Sequence, residues 1–300
     1  MNGRTRRAWG LGLTLLLPLA LAAAQTPPAA QAARAEVDRL IAKSGADVAV
    51  AWRPLDPKPD EEMLINPTTR FHAASTMKLG VMIELFRQAA DKKLSLDDTL
   101  VVSNHFSSLA DGSPYELAVG SDSDHDVFNA IGQPMTLRQL CEHMITRSSN
   151  LAANILIERL GQKNIQAAVD SLGASGMQVL RGVNDGKAFD QGLNNTTDAM
   201  GLLTLLQKIG RGEVVSHAAS AEMVEILKRQ TDNDGIPTGL PAGTAVAHKT
   251  GTITGIHHDA AIIYAPRPYV LVVLVRGITD QQVSAKLMAD ITRVVDALAR

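Results

Sequence analysis

The chain has 300 residues, 45% of them hydrophobic and 20% charged, with a formal net charge of −2. Such a composition describes a globular protein with an ample core, built as one large domain or two lobes. The near-neutral balance leaves no electrostatic footprint for nucleic acid or an anionic membrane, and aromatics at 3% provide no stacking platform for single strands.

At the N-terminus Arg4, Arg6 and Arg7 precede an apolar run from Trp9 to about Leu21, and Ala22-Ala23-Ala24 follows before Gln25. This is the pattern of a cleaved signal peptide over 1–24. The apolar stretch is shorter than the ~20 residues of a membrane span. The expectation is an exported protein, periplasmic or secreted, mature from about Gln25 and without stable membrane insertion. Arg6-Arg7 leaves both general and twin-arginine export open, and no cysteine lies near the cleavage site to anchor a lipoprotein.

After a Thr26-Pro27-Pro28 linker, Val37, Leu40 and Ile41 share one face of a helix that stops near Gly45. Val48, Val50 and Trp52 alternate with small residues, Pro57-Lys58-Pro59-Asp60 turns, and Met63–Ile65 reads as the return strand. A helix then opens at Ser75. From Leu94 to Gly176 the chain is helix-rich with polar loops. Among these, Asp111–Asp126 reads as an exposed loop whose acids cap helices or face water. The only cysteine, Cys141, lies in the apolar stretch Leu137–Ile145 and reads as a core residue, so no intramolecular disulfide holds the fold.

Ser148-Ser149-Asn150 is a turn placed directly before another apolar helix, and as local structure it is a sufficient helix cap. Residues 181–197 form a loop rich in turn residues, and helical patterning resumes at Asp198. Ala245–Thr252, Ala260–Ala265 and Tyr269–Val275 read as strands. A final helix carries Val283, Leu287, Ile291, Val294 and Leu298 on one stripe. Strands at both ends with helices between predict an α+β fold of the α/β/α sandwich type: one antiparallel sheet assembled from the termini, flanked by helices, plus an all-helical lobe. The expected division is a single catalytic domain over 25–300, with the α/β lobe at 30–75 and 198–300 and the helical lobe at 76–197.

Three stretches carry chemistry. Ser75 and Lys78 are three apart at a helix start, so hydroxyl and amine share a face. A serine needs a base to become a nucleophile, and a buried lysine beside another cation can serve as one. Ser-x-x-Lys alone is weak, since ~1 is expected by chance in a chain of this composition. Ser148-Ser149-Asn150 follows 73 residues later, and Lys249-Thr250-Gly251-Thr252, on a late strand, comes 101 residues after Ser148. It supplies a cation, hydroxyls, and a glycine that lets a ligand approach the backbone.

Together, in this order, the three resemble the signature of class A serine β-lactamases and penicillin-binding proteins, over nearly the whole mature chain. The resemblance implies that Ser75 attacks a lactam or amide carbonyl, Lys78 helps accept its proton, and Ser148 relays a proton to the leaving nitrogen. Asn150 would bind the substrate's side-chain amide, Lys249 would support the electrostatics, and Thr250 and Thr252 would suit a carboxylate. The backbone N–H groups of Ser75 and Thr252 would form the oxyanion hole, and Gly251 would let the substrate approach the backbone.

Two departures stand out. Ser149 replaces the aspartate usual in the middle motif, and no glutamate lies between Arg181 and Thr197 to position a deacylating water. Asp190, four residues before Asn194, resembles that missing acid, with Asp185 as the next candidate. The expected function is hydrolysis of β-lactams through an acyl-enzyme, with slow deacylation. A penicillin-binding D,D-peptidase or esterase-like acyl transferase, and a non-catalytic binding module, remain as alternatives. The expected partner is a small β-lactam or peptidoglycan-like peptide, bound by a monomer. No Gly-x-Ser-x-Gly elbow occurs. His257-His258-Asp259 has no further ligands at zinc spacing and reads as a strand start, so neither metal nor other cofactor is expected.

Overall fold

The computed structural model describes residues 1–2 and 28–300. The export signal expected over 1–24 therefore lies, but for its first two residues, outside the described residues. Helix α1 (Pro28–Ser44) leads to the hairpin of β1 (Asp47–Pro54) and β2 (Met63–Ile65). A short β3 (Phe71–His72) and a 3₁₀ turn (Ala74–Met77) run into α2 (Lys78–Ala90). Next come β4 (Thr99–Val101), β5 (Phe106–Ser107), β6 (Pro114–Tyr115), α3 (His125–Asn129), β7 (Pro134–Thr136), α4 (Leu137–Thr146), α5 (Asn150–Leu160) and α6 (Gln162–Ser171). The chain continues through α7 (Gly186–Asp190), β8 (Thr196–Thr197), α8 (Ala199–Gly210) and α9 (His217–Lys228). It closes with β9 (Ala245–Ile253), β10 (Ile256–Tyr264), β11 (Tyr269–Arg276) and α10 (Gln281–Asp296).

The main sheet has the order β2-β1-β11-β10-β9, every pair antiparallel. The early β1 thus pairs with the late β11, Val50 opposite Val273, and the two chain ends build one sheet. Its strands alternate between two apolar layers, as a period of two dictates. Val50, Trp52, Leu271 and Val273 pack with Val37 of α1 and Leu287 and Ile291 of α10. Ala49, Ala51, Val270 and Val272 face the other way, toward Leu202 and Leu205 of α8. Because both faces are covered, β11 is buried from Tyr269 to Val275, and each large side chain so removed from water contributes ~1.5–3 kcal/mol.

Helix α2 lies inside the second core, buried from Lys78 through Phe86. Helix α6 reaches it closely at Gly80, where a Cβ would stand 2.8 Å from Val169 Cγ2. Three sequence expectations need correction. Val283 is 53% exposed, because the inward stripe of α10 runs through Leu287, Met288 and Ile291 instead. The 181–197 loop contains α7, capped by Asp185. In the 111–126 loop, expected to be exposed, Asp122 and Asp124 are buried.

Candidate active site

Ser75 lies in the 3₁₀ turn rather than in α2 itself, and in such a turn side chains three apart eclipse. Lys78, the first residue of α2, is fully buried, and its Nζ donates to Ser75 Oγ at 3.0 Å. The same nitrogen reaches Ser148 O at 2.7 Å, Asn150 Oδ1 at 2.8 Å and Ser148 Oγ at 3.4 Å. Burial and the Lys249 ammonium hold the Lys78 pKa well below the ordinary lysine range, with Asp122 opposing them.

A neutral amine has two N–H groups and one lone pair. Ser148 O and Asn150 Oδ1 can only accept, so they take the two N–H groups. The lone pair is left for the neighbouring hydroxyl, that of Ser75. The geometry therefore suits a base that removes the Ser75 proton.

Lys249 comes from β9, which forms one edge of the sheet. It too is buried, and its Nζ donates to Thr250 O at 2.9 Å and Ser148 Oγ at 3.0 Å. Burial pushes its pKa down to about 7 against the opposing pull of Asp232 and Asp259. Ser148 Oγ thus stands between the two lysines. Ser148 has φ of 60°, a left-handed conformation that costs a non-glycine residue ~1–3 kcal/mol and persists only where its surroundings enforce it.

Strand β9 runs tightly against the turn bearing Ser75. A Cβ on Gly251 would stand 3.1 Å from Ser75 N and Thr76 N and 3.0 Å from Thr76 Cγ2. Thr250 and Thr252 line a cleft of about 1040 Å³ with Ser75, Ser148 and Asn150. Of the residues singled out in the sequence, the structure brings together Ser75, Lys78, Ser148, Asn150, Lys249, Thr250, Gly251 and Thr252. It does not bring Asp190. That residue is exposed at the end of α7 and does not line the cleft, and Asn194 accepts from Arg181 Nη2 at 3.2 Å. The expectation of Asp190 as a water-activating acid is corrected on this geometry.

Asp185 does border the cleft, but its carboxylate is occupied. It accepts from Ser108 Oγ at 2.7 Å, Leu109 N at 2.8 Å and Ala188 N at 3.2 Å, tying α7 to the loop after β5. His257 and His258, adjacent on β10, project to opposite faces. His257 Nδ1 meets Ser284 Oγ at 2.7 Å, and His258 Nε2 donates to His72 O at 3.0 Å, so the pair does not converge on a metal.

The sequence reading missed the Ser121–Asp126 segment, which grips the turn at Ser148. Asp122 Oδ2 accepts from Asn150 N at 2.9 Å and Leu151 N at 2.8 Å, Ser121 O accepts from Asn150 Nδ2 at 2.9 Å, and Ser123 Oγ donates to Arg147 O at 2.6 Å. Its Ser/Asp-rich composition signals only turns, and no spacing marks which acid points inward. Ser149, in place of the usual aspartate, caps α5 by accepting from Ala152 N at 3.2 Å.

Known proteins resemble the chain over most of its length. The model of a family described as the beta-lactamase enzyme family matches residues 32–298. The extended-spectrum β-lactamase PER-1 of Pseudomonas aeruginosa is 26% identical over 273 residues, covering 87% of this chain and 85% of its own. A crystal structure of a β-lactamase from Chitinophaga pinensis superposes with a TM-score of 0.78 at 24% identity, covering 90% of this chain and all of its own. The structure of PBP-A superposes at 0.75 with 23% identity over 89% of this chain and 95% of that one, which is a likeness of fold.

Proposed function

The chain belongs to the beta-lactamase enzyme family and is a serine β-lactamase-like hydrolase, and from that premise we propose that it opens β-lactams through an ester at Ser75 that it hydrolyses slowly. Ser75 Oγ attacks the lactam carbonyl while the Lys78 lone pair takes its proton. The ring C–N bond breaks, and Ser148, fed from the lysines on either side of it, delivers a proton to the leaving nitrogen. The N–H groups of Ser75 and Thr252 receive the oxyanion, a role typically worth ~10²–10³-fold per donor. Thr250, Thr252 and the Lys249 charge hold the substrate carboxylate, and the second N–H of Asn150 Nδ2 meets the side-chain amide.

The observation that carries this reading is the partner set of Lys78: two obligate acceptors at 2.7 and 2.8 Å, and the nucleophilic hydroxyl at 3.0 Å. Slow deacylation follows from the loop acids, because Asp190 stands outside the cleft and Asp185 is held by three donors. That same observation favours a second reading, a penicillin-binding D,D-peptidase whose ester persists. Export through removal of 1–24 is part of the proposal and rests on the composition of that segment.

A fluorescent penicillin followed by a chase separates these readings. The label should attach, then leave slowly, at the same rate in Asp190→Asn as in wild type. A label that stays until the protein is denatured supports the peptidase. Absence of label with any β-lactam contradicts both readings and leaves a binding module.

A further inference from the structure

Asp122 belongs to none of the three motifs, yet its carboxylate holds the turn that carries two of the acceptors of Lys78. It is 6% exposed. Oδ2 accepts from Asn150 N at 2.9 Å, Leu151 N at 2.8 Å and Ser149 Oγ at 3.4 Å, while Oδ1 accepts from Asp124 N at 3.0 Å. The first N–H groups of α5 have no partner within the helix, and its dipole favours an anion there, so these are charge-assisted bonds. The neighbouring Ser121 and Ser123 hold the same turn from the same side, through Asn150 Nδ2 and Arg147 O. Ser148, held between this grip and the two lysines, has a φ of 60°.

We propose that Asp122 is a positioning residue for the chemistry at Ser75. By clamping the Ser148–Asn150 turn it aims Ser148 O and Asn150 Oδ1 at Lys78. The proposal rests on the reading of Lys78 as the base. Two charges bear on Lys78: Lys249 from β9, which favours the neutral amine, and Asp122, which favours the ammonium. The acids beside Asp122 are engaged elsewhere. Asp124 pairs with His143 and Arg147, and Asp126 pairs with Arg147. The clamp and the charge act in opposite directions on rate: the clamp orients the base, while the charge favours its protonated form.

The test is an NMR titration of isotope-labelled lysine in the full chain, with the Lys78 signal identified by its loss in Lys78→Arg. In Asp122→Asn the midpoint of Lys78 should move to lower pH. In the double variant Asp122→Asn/Ser149→Asp, which returns a carboxylate to the start of the same helix, it should move back up. Acylation by a penicillin should fall ~10²-fold in Asp122→Asn, the loss expected from a misplacement of ~1 Å, and recover in the double variant. Asp122→Glu, which keeps the charge on a longer arm, should hold the midpoint and still lose rate. An unmoved midpoint in folded Asp122→Asn overturns the proposal. A moved midpoint with no acylation in any variant, wild type included, overturns instead the assignment of Ser75 as nucleophile.

Discussion

Lys249 sits fully buried at the end of a chain of contacts through Ser148 to Lys78, and burial brings its pKa down to about 7. The ammonium is present below that value and is lost as pH rises through it, so its pull on a substrate carboxylate fades on the alkaline side. Lys78 works in the other sense, gaining as a base when pH rises through its own depressed pKa. The profile of kcat/KM, which reports the free enzyme, should therefore carry an alkaline limb near about 7 from Lys249. Lys249→Arg, charged at every accessible pH, should remove that limb. An unchanged alkaline limb would assign it to another group. Ser75, Lys78, Ser148 and Lys249 were legible in the sequence because each sits in a short local pattern. Asp122 was not, because only tertiary contacts turn its carboxylate toward Ser149, Asn150 and Leu151.

At the scale of elements, the site is a contact between strand β9 and the 3₁₀ turn before α2, and Gly251 marks how close they lie. In Gly251→Ala the new Cβ would meet the backbone nitrogens of Ser75 and Thr76 at 3.1 Å, and backbone cannot swing aside. Overpacking of this kind costs ~1–3 kcal/mol, and a shift of ~1 Å between strand and nucleophile costs ~10²-fold in rate. Acylation kinetics and a thermal melt on the variant should show both losses. Wild-type acylation would mean that the strand edge is not used. The strands and their hairpin were legible from alternation and from turn residues. The loop at 181–197 was not: Phe189-Asp190-Gln191-Gly192-Leu193-Asn194 suggested a displaced catalytic acid by spacing. Spacing cannot tell that α7 forms there and leaves Asp190 on its outer side.

At the scale of the whole molecule, the paired core and sheet carry a buried histidine that must stay neutral. His258 donates from Nε2 to His72 O and accepts at Nδ1 from Val275 N at 3.2 Å, and burial pushes its pKa down to about 4. An unfolded histidine titrates near ~6.5. Between the two values the unfolded state holds one proton more, so stability rises with pH through that window and is lost on acidification, by ~3 kcal/mol. Urea melts at neutral pH and near pH 4 should show wild type losing ~3 kcal/mol more than His258→Asn over the same interval; equal losses would place the acid sensitivity elsewhere. The sheet built from both chain ends was legible in the order of strands and helices, whereas a charge-neutral core histidine beside Phe71 looks, in sequence, like part of a metal motif. The central claim, an ester at Ser75, is tested most directly by intact-protein mass after exposure to a penicillin, followed by peptide mapping. The account predicts a single adduct of the drug's full mass on the peptide bearing Ser75, absent in Ser75→Ala and formed ~10²–10⁴-fold more slowly in Lys78→Ala; an adduct on another residue, or one that survives Ser75→Ala, would contradict it.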